Sequence, residues 1–203
     1  MKLRPQHNAA FTMVEIAIAL GVIAVALVAI MGVMPAGMAT QKDNRQDTII
    51  NQDGAYLLEA IRTSAQNIPD LVNFAEVIDG QPVGTGMSSS NVVQLMSEPN
   101  GPHMNVFHAI TGSAALRGQG VPNFRYMVIS DVKQLNNVNP DLPWAGALQN
   151  NTYEVRLVFF WPLQPGSTNV TATTQKQSMR TIITGTWDVT NRVFNLSEFR
   201  PAP

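Results

Sequence analysis

Phe11-Thr12-Met13-Val14-Glu15 opens a block that then runs without a charged residue from Ile16 to Gln41. Its most apolar part, Ile16–Met34, is long enough to cross the hydrocarbon core of a bilayer, which takes about 20 helical residues. Ahead of it stands a short polar and basic stretch, Met1–Ala10, carrying Lys2 and Arg4. The positive-inside bias therefore predicts a cytoplasmic N-terminus and export of everything that follows. One residue resists this simple picture. Glu15 sits at the fifth position of the block, where a carboxylate in lipid costs about 2–3 kcal/mol on the lenient insertion scales. An acid in that place points to a function.

Three readings of the block compete. A cleaved secretory signal has a shorter apolar region, about 7–15 residues, without a charge at its start. A plain membrane anchor accounts for the length and leaves Glu15 unexplained. A buried core helix does not fit either, because the run is too apolar all round for a chain of this size.

The residues in register add a fourth reading. A basic leader ends in a small residue, Ala10; then come Phe11, three further residues, Glu15, and an apolar helix from Ile16. This resembles the class III signal of type IV prepilins, in which a small residue precedes Phe-Thr-Leu-Ile-Glu-Leu and a hydrophobic helix. The resemblance covers residues 1–40 of 203. It departs from the family pattern at Ala10, where Gly is usual. The resemblance implies cleavage between Ala10 and Phe11 by a prepilin peptidase, N-methylation of the new Phe11 amine, and retention of the helix. It also implies assembly through Glu15, which would neutralise the Phe11 amine of a neighbouring subunit. Two unit charges roughly 4 Å apart attract by about 4 kcal/mol at an effective dielectric near 20. Desolvation reduces the net gain, so the larger effect would be on axial register.

Ile16, Leu20, Ile23, Leu27, Ile30 and Met34 repeat at helical spacing. Gly21, Gly32 and several alanines permit close helix approach. Pro35 and Gly37 are expected to weaken, kink or end this first helical stretch. A second helical pattern spans about Asp43 to Ala65. Ile50, Gly54, Leu57, Ile61 and Ala65 fall on one face with Leu58 beside them, Asp47, Asn51 and Glu59 lie on or near the polar side, and Pro69 closes it. The expected organisation is a leader at 1–10, a transmembrane or filament-core helix at 11–39, an amphipathic helix at 40–66, and a β-rich head at 67–203.

Within the head, residues 79–90, 97–103 and 136–146 (with Pro140 and Pro143) read as loops. Strand candidates are Asn91–Met96, Asn105–Ile110, Phe124–Ser130, Thr152–Trp161, Ser178–Val189 and Val193–Phe199. The clearest is Thr152–Trp161, where Tyr153, Val155, Leu157, Phe159 and Trp161 alternate with Glu154 and Arg156. Met179, Ile183 and Trp187 are likewise evenly spaced. The last three strands fit an antiparallel meander whose apolar face covers the 50–65 helix. The fold class is thus α+β, a long N-terminal helix packed on an antiparallel sheet, as in pilins.

Composition narrows the function classes. Net charge is −1, with 13 basic and 14 acidic residues, and no basic cluster lies downstream of residue 45, so no nucleic-acid partner is expected. The absence of cysteine removes disulfides, thiolate metal sites and cysteine nucleophiles. His103 and His108 carry no zinc pattern around them, and Asp131, Asp141 and Asp188 lack calcium-loop spacing. Gly80, Gly84 and Gly86 form no phosphate loop, and no Ser sits in G-x-S-x-G. Trp144, Trp161 and Trp187 read as core or interface aromatics. The sequons at Asn150, Asn169 and Asn195 carry little weight in so Asn- and Thr-rich a chain. No enzyme, cofactor or metal is expected. The resemblance implies a structural subunit of a type IV pilus or type II secretion-like pseudopilus. It would partner other such subunits, the peptidase and inner-membrane lipid, as a single-pass protein of the bacterial inner membrane and then of a periplasmic pseudopilus or surface pilus. The alternatives are a membrane-tethered periplasmic binding module that never polymerises, and a secreted enzyme cut near Gly37–Ala39.

Overall fold

Helix α1 runs unbroken from Met13 to Arg62, 50 residues. The computed structural model describes residues 11–64, 70–111, 124–136, 138–139, 141–169 and 174–199. The leader with Ala10, the helix end expected at Ala65 with Pro69, and Pro140 lie outside the described residues. Pro35 removes one helical hydrogen bond, yet α-helix continues through it. The chain divides into two compact units between Arg45 and Gln46.

In the first unit every described residue, 11–45, is exposed. No tertiary burial holds this part of the helix. Its backbone is satisfied by its own hydrogen bonds, the condition that lets a single helix stand in an apolar solvent.

The second unit contains the last turns of α1 and the head. Ile49, Ile50, Leu57, Ala60 and Ile61 are buried on one face of α1, as the 3.6-residue period requires. Gly54 lies on that face too, and a Cβ there would run into Met179 Sδ. Beyond α1 come α2 (Leu71–Phe74), β1 (Ala75–Ile78), β2 (Gln81–Pro82), α3 (Ser89–Ser97), β3 (Pro102–His108), β4 (Arg125–Gln134), α4 (Ala145–Asn150), β5 (Thr152–Trp161) and β6 (Gln175–Thr184). The six strands form one sheet in the order β2-β1-β3-β4-β5-β6, and every pairing is antiparallel. Two short strands, β7 (Thr186–Asp188) and β8 (Val193–Asn195), make a separate pair.

Alternation assigns the sheet faces. Tyr126, Val128 and Val132 of β4 and Val155, Leu157 and Phe159 of β5 are buried in one core with Ile50, Leu57 and Ile61 of α1. Tyr126 is its aromatic hub, with ring centroids 6.3 Å from Phe107, 6.0 Å from Phe124 and 5.9 Å from Phe159. Each such side chain contributes about 1.5–3 kcal/mol on burial. The opposite sheet face carries a smaller cluster around Val106, Met127 and Leu163.

Several expectations need correction. Asn91–Met96 is not a strand but the body of α3. Ser88 caps that helix by accepting the Asn91 N–H at 3.2 Å, and Val92, Val93 and Met96 bury one helical face. The Ser178–Val189 strand is broken at Gly185, whose φ of 145° suits glycine and whose Cβ position is filled by the Asn195 carbonyl. Trp187 therefore belongs to β7, and β8 pairs with β7. The expected three-strand meander is two strands of the large sheet followed by a separate hairpin. The loop at 79–90 contains β2, and that at 136–146 runs into α4.

Candidate functional site

The first turn of α1 is closed by two residues, Thr12 and Glu15. Thr12 precedes the helix, and Glu15 occupies its third position. The Thr12 backbone N–H donates to Glu15 Oε2 at 2.8 Å, and the Thr12 hydroxyl donates to the same oxygen at 2.9 Å. The Glu15 N–H returns a 3.3 Å bond to the Thr12 hydroxyl oxygen. This is a capping box, the S/T-x-x-E arrangement that satisfies otherwise orphaned donors at a helix start. Both of these bonds to the carboxylate end on Oε2. Phe11 stands just outside the helix, 82 % exposed. Thr12 was not singled out by the charge pattern, although the S/T-x-x-E spacing was there to be read.

Behind this turn, Ile16, Leu20, Ile23, Leu27, Ile30 and Met34 are all exposed. The helix is long and apolar enough to cross a membrane, and none of its most apolar window is buried within the protein. Leaving such a surface in water is strongly unfavourable, at about 25 cal/mol per Å² of apolar area.

Among the described residues, one acid is deeply buried, and it lies on α1 within the second unit. Asp53 lies between the apolar positions Ile50 and Leu57 and is fully buried. Its Oδ2 accepts the Ile110 N–H at 2.9 Å and the Tyr126 hydroxyl at 2.8 Å. Its Oδ1 accepts the Thr111 N–H at 2.9 Å and the Thr111 hydroxyl at 2.6 Å. Burial raises the Asp53 pKa, while these four donors hold it down in part. Burial first, then the Asp53 charge, pushes the Tyr126 phenol well above the ordinary tyrosine range. The arrangement fixes α1 in register on β4 and on the segment after β3. It leaves no lone pair directed at a ligand, so its chemistry is structural.

The remaining sequence candidates are dispersed. His103 Nδ1 is 2.9 Å from Asp79 Oδ1 and its Nε2 is 3.1 Å from the Glu98 carbonyl. His108 lies 3.5 Å from Glu76, whose two oxygens accept Arg125 Nε at 2.7 Å and Nη2 at 2.6 Å. The two histidines thus face different carboxylates. Asp131 pairs with Lys133 at 2.6 Å on β4, and Asp188 caps its own turn by accepting the Thr190 and Asn191 N–H groups. That turn draws the Asp188 pKa down, chiefly through the Asn191 side chain. Among the described residues no group of three metal-ligating side chains converges. Trp161 and Trp187 are core residues, whereas Trp144 is 53 % exposed.

Comparison with protein-family models, with curated proteins and with solved structures finds no match for this chain.

Proposed function

We propose that this protein is a structural subunit of a type IV pilus or a type II secretion-like pseudopilus. In this reading it is inserted in a bacterial inner membrane, cut between Ala10 and Phe11 by a prepilin peptidase, and polymerised through its N-terminal helix. The observation that carries the reading is one alignment of features along a single helix. The small–Phe–x–x–x–Glu register stands at the start of a 50-residue helix whose apolar first part is exposed at every described residue. Such a surface needs lipid before assembly and neighbouring helices afterwards, and Glu15 offers those neighbours a fixed charge to pair with. The test is the mature N-terminus, measured by mass spectrometry on protein from its native membrane with and without the peptidase. A peptidase-dependent start at N-methyl-Phe11 supports the proposal. An intact Met1 start overturns it in favour of an anchor, and a start near residue 40 in favour of a secreted protein.

A second reading, a membrane-tethered periplasmic module that never polymerises, draws on the capping box. Glu15 has a local task, since it satisfies the Thr12 N–H. A plain anchor could retain an acid there for helix initiation alone. The two readings part on whether the charge of Glu15 matters beyond its capping oxygen.

A further inference from the structure

Three places in the chain set an Asx residue directly before glycine: Asp53-Gly54, Asp79-Gly80 and Asn100-Gly101. This pairing permits a backbone reaction. The glycine amide nitrogen attacks the side-chain carbonyl carbon of the preceding residue and closes a five-membered imide, because no Cβ on the glycine obstructs the approach. The fold treats the three sites differently.

At Asp53-Gly54 the reaction is blocked twice. Both carboxylate oxygens are held by donors in a fully buried site, and both residues lie inside α1, where backbone amides are committed to helical hydrogen bonds. At Asp79-Gly80 the carboxylate is bridged by His103, and the Gly80 N–H donates to the Met104 carbonyl at 3.0 Å. Asn100-Gly101 has neither restraint. It lies in the turn between α3 and β3, outside helix and strand, and Asn100 is exposed. Gly101 has φ 140° and open space where a Cβ would stand. Its N–H makes no hydrogen bond to a described residue.

We propose that Asn100 is a self-modification site, at which the folded protein converts an asparagine into aspartate and isoaspartate. The Gly101 nitrogen forms a bond to Asn100 Cγ, the Cγ–Nδ2 bond breaks, and ammonia leaves with the transferred proton. Water then adds to either imide carbonyl and opens the ring. Opening on one side gives aspartate. Opening on the other gives isoaspartate, which routes the main chain through the side-chain methylene. The net reaction consumes one water and releases one ammonia. Either product adds a negative charge beside Glu98, whose carboxylate lies 3.8 Å from Arg192. The isoaspartate also lengthens the backbone immediately before β3, next to the His103 contacts with Asp79 and Glu98.

The experiment is incubation of the full chain in detergent, folded and in denaturant, in mildly alkaline buffer. Peptide mass spectrometry follows the amide-to-acid mass gain, and isoaspartyl methyltransferase labelling detects the rearranged product. Conversion at Asn100 in the folded protein, at a rate comparable to the unfolded chain and lost in Asn100→Gln, is the expected result. Isoaspartate label should exceed aspartate at this site and be absent at Asp53 and Asp79. Conversion in denaturant with an unmodified Asn100 in the folded protein overturns the proposal, because the fold would then protect the site. So does an Asn100 that stays intact in both.

Discussion

The carboxylate of Asp53 and the phenol of Tyr126 meet at 2.8 Å in the centre of the head, 73 positions apart in sequence. The contact joins α1 to β4 where both are otherwise lined by aliphatic and aromatic side chains. Buried polar groups are tolerated only when paired, and the Ile110 and Thr111 donors complete the pairing of this acid. The join is the polar reference point around which the apolar core is laid.

Removing that reference point should be expensive. Asp53→Ala strands four donors and is expected to cost about 3 kcal/mol of stability. Asp53→Asn turns an amide N–H₂ toward donors and should cost about 2 kcal/mol, whereas Tyr126→Phe removes a single bond for about 1 kcal/mol. Denaturant unfolding of the detergent-solubilised chain checks the order. An Asp53→Ala variant as stable as the parent would refute the assigned role.

The same pair predicts alkaline lability. The folded Tyr126 pKa is raised, by burial first and the Asp53 charge second. Its stabilising contribution is therefore complete below the unfolded tyrosine value of about 10. It is lost as pH rises toward the higher folded value, because the unfolded chain releases its proton first. The slope from this one group approaches about 1.4 kcal/mol per pH unit. Asp53, also raised by burial, acts with the same sign at acidic pH, favouring the fold below the ordinary aspartate range. Unfolding midpoints across alkaline pH should fall in the parent and fall less steeply in Tyr126→Phe.

Gly54 and Met179 form a steric lock between α1 and β6. A side chain at Gly54 would meet Met179 Sδ and Cε and the Phe159 ring. Gly54→Val should cost about 2 kcal/mol through overpacking, even though it removes a glycine from a helix interior. Met179→Ala in the same chain should recover part of the loss. A double-mutant cycle with no coupling would dissolve the lock.

Ser64 closes the other end of α1. Its hydroxyl accepts the Phe194 N–H at 3.0 Å and donates to the Phe194 carbonyl at 3.2 Å. Ser64→Ala should cost about 1–2 kcal/mol and should raise amide hydrogen exchange at Phe194 ahead of β4 and β5.

Glu15 separates the two functional readings. Glu15→Gln keeps an oxygen for the Thr12 N–H and so retains the capping box, while it removes the charge. Glu15→Ala removes both. If filament incorporation requires charge pairing, both variants should insert normally in the membrane and both should fail to assemble. Assembly by Glu15→Gln but not Glu15→Ala would reduce the residue to a helix cap.

Much of the architecture could be read locally. Thr152–Trp161 announces β5 because its alternation is strict and Pro162 ends it, and the Ile50–Leu57–Ile61 face follows from helical period alone. Asp53 could not be found this way: on an apolar face it reads as an interruption, and its partners Thr111 and Tyr126 are distant in sequence. α3 escaped because six residues with paired valines satisfy strand and helix patterns alike, and Ser88 was the capping signal that separates them. β1 lies in a stretch assigned no element and β2 in one read as loop, although Asp79-Gly80 between them is a hairpin-turn pair. The break at Gly185 depends on the Asn195 carbonyl occupying the place of a Cβ, a fact of tertiary structure alone.

Every described buried residue lies at or beyond Gln46. Substitutions among residues 11–41 therefore replace exposed side chains, whereas substitutions in the head core replace buried ones. Natural selection acts on one polypeptide through two separate filters. Residues 11–41 are judged as an exposed surface, and the buried side chains of the head by the packing they share.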